Sequence, residues 1–138
     1  MNDKYFIDTN IWVYANDHSD SLKQQRAKEI IIQGLYDDNI VISTQVISEF
    51  FVTVTKKISK KLSIEKAKKE ILLLKNIEIA EIDYQSILQA IEMMHRHQLS
   101  YWDSLIIVAA QNSRCSVIYS EDMNPGKIMD GLRIQNPF

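Results

Sequence analysis

The chain has a single cysteine, Cys115, among its 138 residues. A lone thiol excludes an internal disulfide, argues against a thiolate zinc site within one chain, and reads best as a small buried residue. Long apolar runs are missing too. None approaches the roughly 20 residues that span a bilayer, and the opening Met1-Asn2-Asp3-Lys4 leads into a strand pattern rather than a signal peptide. A cytoplasmic protein is expected. Nor does one sign of charge dominate. A formal net charge of −2 argues against a surface that is everywhere a nucleic-acid-binding field, though not against a local one. Lysines do cluster, at Lys56, Lys57, Lys60, Lys61, Lys66, Lys68 and Lys69. Such a run reads first as a solvated helix face and second as a track for a phosphate backbone. No linker, repeat or low-complexity segment interrupts the chain. With 46% hydrophobic and 25% charged residues, one globular domain over residues 1–138 is the expectation.

Tyr5-Phe6-Ile7 is a short apolar run ending at Asp8-Thr9-Asn10, and helical spacing follows from Ile11 through Tyr14, which reads as strand, turn, helix. Ser21 is positioned to cap a helix with Leu22, Ala27, Ile30 and Ile31 on one face, closing near Gly34, ahead of a second apolar run, Ile40-Val41-Ile42. Thr44 likewise caps a helix with Val46, Ile47, Phe50 and Val54 on one arc and Glu49 on its flank. Past the lysine-rich turn, Ser63 opens a helix with Ile64, Ala67, Ile71 and Leu74 facing one way. Residues 77–82 alternate as a half-exposed edge strand does, and Asp83 starts a helix carrying Tyr84, Ile87, Ile91 and Met94.

The spacing then predicts a helix over residues 101–112, begun by Ser100. Trp102, Leu105, Ile106, Val108, Ala109 and Ala110 leave it little polar face, so it belongs in the middle of the fold. Ser116-Val117-Ile118-Tyr119 reads as a strand delivering Ser120-Glu121-Asp122, and Leu132-Arg133-Ile134 as a last strand after a Pro125-Gly126 turn. Strands alternating with helices imply an α/β fold, a three-layer α/β/α sandwich with a mainly parallel sheet of four to five strands.

Four acids, Asp8, Glu49, Asp103 and Asp122, each stand beside an expected strand end or early in an expected helix. Each alone has an ordinary explanation. Asp8 can make a turn and cap the next helix. Asp103, three residues after Ser100, fits a capping box and suits the helix dipole. Glu49 can be a solvated helical glutamate, and Asp122 can cap a turn. Their agreement is what independent capping does not require. Acids at several strand ends of an open α/β sheet converge, and converging carboxylates need either a cation or raised pKa values to coexist. Hard oxygen ligands suit Mg²⁺ or Mn²⁺, which bind through few carboxylates plus substrate phosphate. Other candidates are weaker. His95 and His97 read as surface residues, Met93-Met94 as core, and Trp12 and Tyr14 as core or interface residues with base stacking as the alternative.

Phe6-Ile7-Asp8-Thr9-Asn10, Ile47-Ser48-Glu49-Phe50-Phe51, Tyr101-Trp102-Asp103-Ser104-Leu105-Ile106 and Tyr119-Ser120-Glu121-Asp122-Met123, in this order, resemble the PIN-domain family, most closely its VapC-type toxin ribonucleases. The resemblance spans essentially the whole chain. It implies a Mg²⁺- or Mn²⁺-dependent endoribonuclease with Asp8, Glu49, Asp103 and Asp122 as catalytic, metal-binding acids, and with Thr9, Asn10 and Ser120 in support. It also implies a cognate antitoxin laid near Trp12 and Tyr14, and a homodimer. Glu121 stays open as an alternative to Asp122. A structure-specific DNA nuclease and a non-catalytic RNA- or protein-binding module use the same scaffold. A phosphatase of the haloacid dehalogenase type does not fit, because Asn10 stands where that chemistry needs a second acid.

Overall fold

A computed structural model describes residues 3–124, 126 and 128–138. Among them run β1 (Tyr5–Ile7), α1 (Thr9–Tyr14), α2 (Ser21–Asp37), β2 (Ile40–Ser43), α3 (Thr44–Lys56), α4 (Ile64–Leu72) with a 3₁₀ turn (Leu73–Asn76), β3 (Glu78–Ala80), α5 (Tyr84–His97), α6 (Tyr101–Asn112), β4 (Val117–Tyr119), β5 (Ile128–Met129) and β6 (Leu132–Gln135). The strands form one sheet in the order β3-β2-β1-β4-β6-β5. Five are parallel, and the two-residue β5 adds an antiparallel edge. α2 and α3 pack on β2, α1 packs on α2 and α3, and α4 packs on α3; α6 meets β2 and β4 with α5 against it. The expected three-layer sandwich is the result.

β1 and β2 are short because the chain turns straight into a helix at the carboxyl end of each. β2 is buried at all four positions, as a central parallel strand covered on both faces must be. Phe6, Ile7, Ile11, Val41, Ile42, Val46, Ile107 and Ile118 are among the side chains that form the core between the layers. β3 is the half-exposed edge that its alternation implied.

Several helix ends differ from the expected ones by one residue, because the competing cap is the better acceptor. Asp20, not Ser21, caps α2 through its carboxylate and the Lys23 amide, and α2 runs on past Gly34 to a left-handed Asp38. Ser43, not Thr44, caps α3, which frees the Thr44 hydroxyl to accept the Ile82 amide at 3.2 Å. Burial also departs in four places, the first being Leu22, which was expected on the apolar face of α2 and is 79% exposed. Trp102 is 63% exposed, since α6 is buried only from Ser104 to Ala110 and its first turn emerges from the core. Ile64 points outward, and on α5 the buried residues are Ser86, Ala90 and Met93, leaving Tyr84, Ile87, Leu88 and Ile91 as an exposed apolar stripe. Gly126 has φ +81°, as a turn there requires, while Pro125 lies outside the described residues.

Gly34 sets how closely α2 lies on the sheet. A Cβ there would stand 2.1 Å from Ile40 Cγ2 on β2. Alanine normally gains about 1 kcal/mol over glycine inside a helix, but overpacking costs typically about 1–3 kcal/mol. Gly34→Ala should therefore lower the thermal midpoint by several degrees. A midpoint at or above wild type would show that the helix can lift off without cost.

Candidate active site

Strand order brings the first two acids together. The chain goes from β1 outward to β2 and β3, then crosses back to place β4 on the other side of β1, so the order reverses between β1 and β4. Ligands in open α/β sheets gather outside the carboxyl ends of strands at such a switch point. The parallel register pairs Ile7 with Tyr119. The next residues, Asp8 and Ser120, are consequently neighbours, and the Asp8 amide donates to the Tyr119 carbonyl at 3.0 Å.

Asp8 is the buried carboxylate among the described residues, 5% exposed. Its Oδ2 accepts from the Ser120 hydroxyl at 2.7 Å and its Oδ1 from the Thr9 amide at 2.7 Å, the latter being the cap of α1. The ordinary reading of Asp8 as the cap of the next helix thus holds, and its second oxygen is bonded by Ser120. Burial nevertheless pushes its carboxyl above the ordinary 3.8, outweighing both hydrogen bonds, and the charges of Asp122 and Asp103 push the same way. Glu49, on the groove-facing side of α3, is also raised. Loss of hydration is the main cause, with the Asp8 charge and then Asp103 adding to it. All four acids therefore act on one region, although they come from two strand ends and two helices.

The supporting residues make the bonds that fix this arrangement. Ser120, fully buried, donates to Asp8 and accepts the Met123 amide at 3.2 Å. Asn10 donates to Asp122 Oδ2 at 3.0 Å, while its Oδ1 accepts the Glu121 amide at 3.2 Å. Thr9 Oγ1 reaches Glu49 Oε1 only at 3.5 Å, a weak contact. At α6 the Ser100 hydroxyl accepts the Asp103 amide at 3.1 Å, so the cap uses the backbone of Asp103, not its carboxylate. The Gln45 amide of α3 donates to the Trp102 carbonyl at 3.2 Å, which ties the first turn of α6 beside α3.

Adjacent Glu121 has a different environment from Asp122. It pairs with Lys23 and accepts the Tyr14 hydroxyl at 2.5 Å. Burial raises its carboxyl, but those two partners outweigh it and hold it below the ordinary value. Tyr14 is further occupied by the Phe138 ring, edge-on at 5.2 Å. Trp12 is buried, its indole N–H donating to the Ile7 carbonyl at 3.0 Å. Trp12 is thus enclosed in the core, while Tyr14 lines the groove with its hydroxyl bound to Glu121. Thr9, Asn10, Glu49, Glu121 and Asp122 line a common groove together with Thr53 and Lys57. Sequence reasoning assigned neither Thr53 nor Lys57 to it, though both follow Glu49 at helical spacing.

Among the described residues no three His, Cys, Asp or Glu side chains are arranged so as to hold an ion. Glu49 and Asp122 line the groove, whereas Asp8 lies buried at the strand end and Asp103 is not part of the groove lining, so the four do not form a closed cage. The donor set still fits Mg²⁺ or Mn²⁺: all donors are hard oxygens, and these ions keep several waters and need few carboxylates. A carboxylate pushed upward by burial, and further by two like charges, is also the position that a cation would relieve.

The sequence matches the model of the PIN domain over residues 5–128. No curated protein matches the sequence. Solved structures with a similar fold include a toxin-antitoxin complex from Klebsiella pneumoniae, at 18% identity and TM-score 0.70, covering 98% of each chain. DNA-bound VapBC from Salmonella typhimurium is similar at 15% identity and TM-score 0.69, covering 99% of this chain and 100% of the other. VapC20 of Mycobacterium tuberculosis, a sarcin-ricin loop cleaving toxin, matches at 18% identity and TM-score 0.66, over 86% and 90%.

The raised Asp8 carboxyl has a consequence for stability without metal. Between pH 3.8 and the raised value the folded chain binds more protons at this position than the unfolded chain, so stability falls as pH rises through that window. Asp8→Asn removes the titration and keeps an acceptor for the Thr9 amide, while its Nδ2 bonds the Ser120 oxygen once that hydroxyl proton turns away. In chelator at pH 7 its thermal midpoint should equal or exceed wild type, and the difference should shrink toward pH 4. A variant that is less stable at pH 7 than at pH 4, relative to wild type, would contradict the electrostatic account.

Proposed function

The chain belongs to the PIN-domain family, and from that premise we propose that it is a metal-dependent endoribonuclease, the toxin of a type II toxin-antitoxin pair. PIN domains are nucleases, so hydrolysis of nucleic acid is the family-level statement. The observation that carries the finer reading is the buried Asp8 carboxylate at the switch point of the sheet, bonded by Ser120 and Thr9 and raised by burial and then by the charges of Asp122 and Asp103, with Glu49 raised beside it.

Asp8 and Asp103 are assigned to hold Mg²⁺ or Mn²⁺ directly, with Glu49 and Asp122 completing the shell through water or a second ion. Such an ion, when bound, stabilises charge on phosphate oxygens and acidifies water near neutral pH. Ser120 and the Thr9 amide hold the Asp8 carboxylate at both oxygens, so it enters the reaction already oriented. Asn10 does the same for Asp122. The buried strand ends behind Asp8 exclude bulk water from one side of the cleft, which strengthens every charge interaction there. Glu121, paired with Lys23, is assigned to the wall of the groove and not to the ligand set.

An antitoxin fits a second surface. An apolar groove of about 330 Å³ between α1–α2 and the α4 region is lined by Trp12, Ile31, Ile32, Leu35, Leu73 and Leu74. Ile32 and Leu73 are 64% and 71% exposed, and the similar structures from Klebsiella and Salmonella are toxin-antitoxin or VapBC assemblies. Trp12 lines this groove, which supports the expected antitoxin seat near Trp12 and Tyr14. The exposed stripe Tyr84, Ile87, Leu88 and Ile91 on α5 supports pairing with a second copy.

Asp8→Asn and Asp103→Asn should each lower the rate of RNA cleavage by about 100-fold or more, since preorganised charge is the main catalytic device. The check is single-turnover cleavage of labelled RNA in Mn²⁺, with a labelled DNA competitor. Wild-type rates in either variant would remove the assignment, and preferential cutting of DNA would replace the substrate. Retained partner binding with no Mn²⁺ uptake by calorimetry would instead favour a non-catalytic module. Co-expression with the neighbouring reading frame should yield a complex that loses affinity when Leu73 is changed to Glu.

A further inference from the structure

We infer that Lys57 is the phosphate anchor of the acid groove, holding a backbone phosphate next to the one that is cut; this rests on the nuclease reading above. Seven lysines crowd residues 56–69, yet the structure separates them. Only Lys57 of these lines the groove that contains Thr9, Asn10, Glu49 and Asp122. The acid side of that groove repels a polyanion, and an ion that neutralises part of its charge leaves the rest uncompensated. A cation along the path of the strand offsets this.

Two cations stand near the acids, and pairing decides between them. Lys23 is taken by Glu121, with the Tyr14 and Phe138 rings beneath its ammonium at 5.0 and 5.5 Å. Lys57 makes no ion pair among the described residues. Its position is also fixed by α3 and by the turn that follows. Glu49 and Thr53 on α3 and Lys57, the residue that caps its carboxyl end, are spaced by four, which puts them on one side of the helix. At about 1.5 Å per residue, the Lys57 backbone lies about 12 Å along the axis from that of Glu49. The Thr53 carbonyl accepts both the Lys57 and Ile58 amides, at 2.8 and 3.2 Å, and the Leu62 amide donates to the Val54 carbonyl at 2.8 Å. Ile58 is buried and pins the turn. The lysine stem therefore starts from a fixed point, and only the exposed ammonium must be ordered when a phosphate arrives. Lys66, Lys68 and Lys69 are exposed on α4 and line none of this groove.

The test compares Lys57→Gln, Lys57→Arg and Lys66→Gln in the full chain, read by anisotropy of a short labelled single-stranded RNA in chelator and by its cleavage in Mn²⁺. Lys57→Gln should weaken binding and raise KM about threefold to tenfold with kcat within about twofold, and should reduce the slope of log affinity against log salt by about 0.7. Lys57→Arg should restore most of the loss, and Lys66→Gln should behave as wild type. An unchanged KM and salt slope in Lys57→Gln, or an equal loss in Lys66→Gln, overturns the anchor while leaving the nuclease standing. A wild-type chain that neither binds nor cuts the RNA overturns both.

Discussion

A carboxylate set against the sheet loses most of its hydration, and Asp8 is held in that condition by the fold. Its backbone belongs to the hydrogen-bonded junction of β1 and β4, and its side chain caps α1, so it cannot swing outward without loosening both. Two short hydrogen bonds favour the ion, but burial and like-charged neighbours oppose it more strongly. The cleft is therefore built around an electrostatic conflict. A conflict of that kind can be relieved by a proton or by a cation, and at neutral pH a divalent cation is the stronger competitor for several carboxylates at once.

The topology makes the conflict unavoidable. β1 and β4 are 112 residues apart between Asp8 and Ser120, yet the register places those two side by side, and the helices leaving β2 and following α5 bring Glu49 and Asp103 to the same end. Changing the direction of one crossover would send Asp122 to a different sheet position and dissolve the site. Fold and site are in this sense one constraint, because the short strands end where the functional turns begin.

Much of this was legible in the residues. The apolar runs at Tyr5-Phe6-Ile7 and Ile40-Val41-Ile42, the caps at Ser63, Asp83 and Ser100, and the all-round apolar character of α6 each translate into one local rule, and each holds. Less legible was anything decided by a neighbour distant in sequence. Trp102 looked like core because periodicity describes a helix and not how deep its first turn lies. The apolar residues of α5 looked like a buried stripe, yet small Ser86 and Ala90 make the close contact and Ile87 and Ile91 face outward. The resemblance favoured Asp122 over Glu121, but the pairing of Glu121 was not legible, since Lys23 and Tyr14 approach it from α2 and α1.

Hydrogen-bond direction explains why the supporting residues are Ser120 and Asn10 and not simply small. The Met123 amide can only donate, so it occupies the acceptor side of the Ser120 hydroxyl and turns the hydroxyl proton toward Asp8. The Glu121 amide likewise takes the carbonyl oxygen of Asn10, which leaves the amide N–H₂ group aimed at Asp122. Two backbone donors in one turn thus orient two side-chain donors toward two carboxylates. At Asp8 the Ser120 bond favours the ionised, accepting carboxylate, the state in which it can ligate, and works against the burial that raises it. The same turn carries Glu121 away into its pair with Lys23, so the segment Ser120–Met123 separates one acid from its neighbour while fixing the other in the cleft.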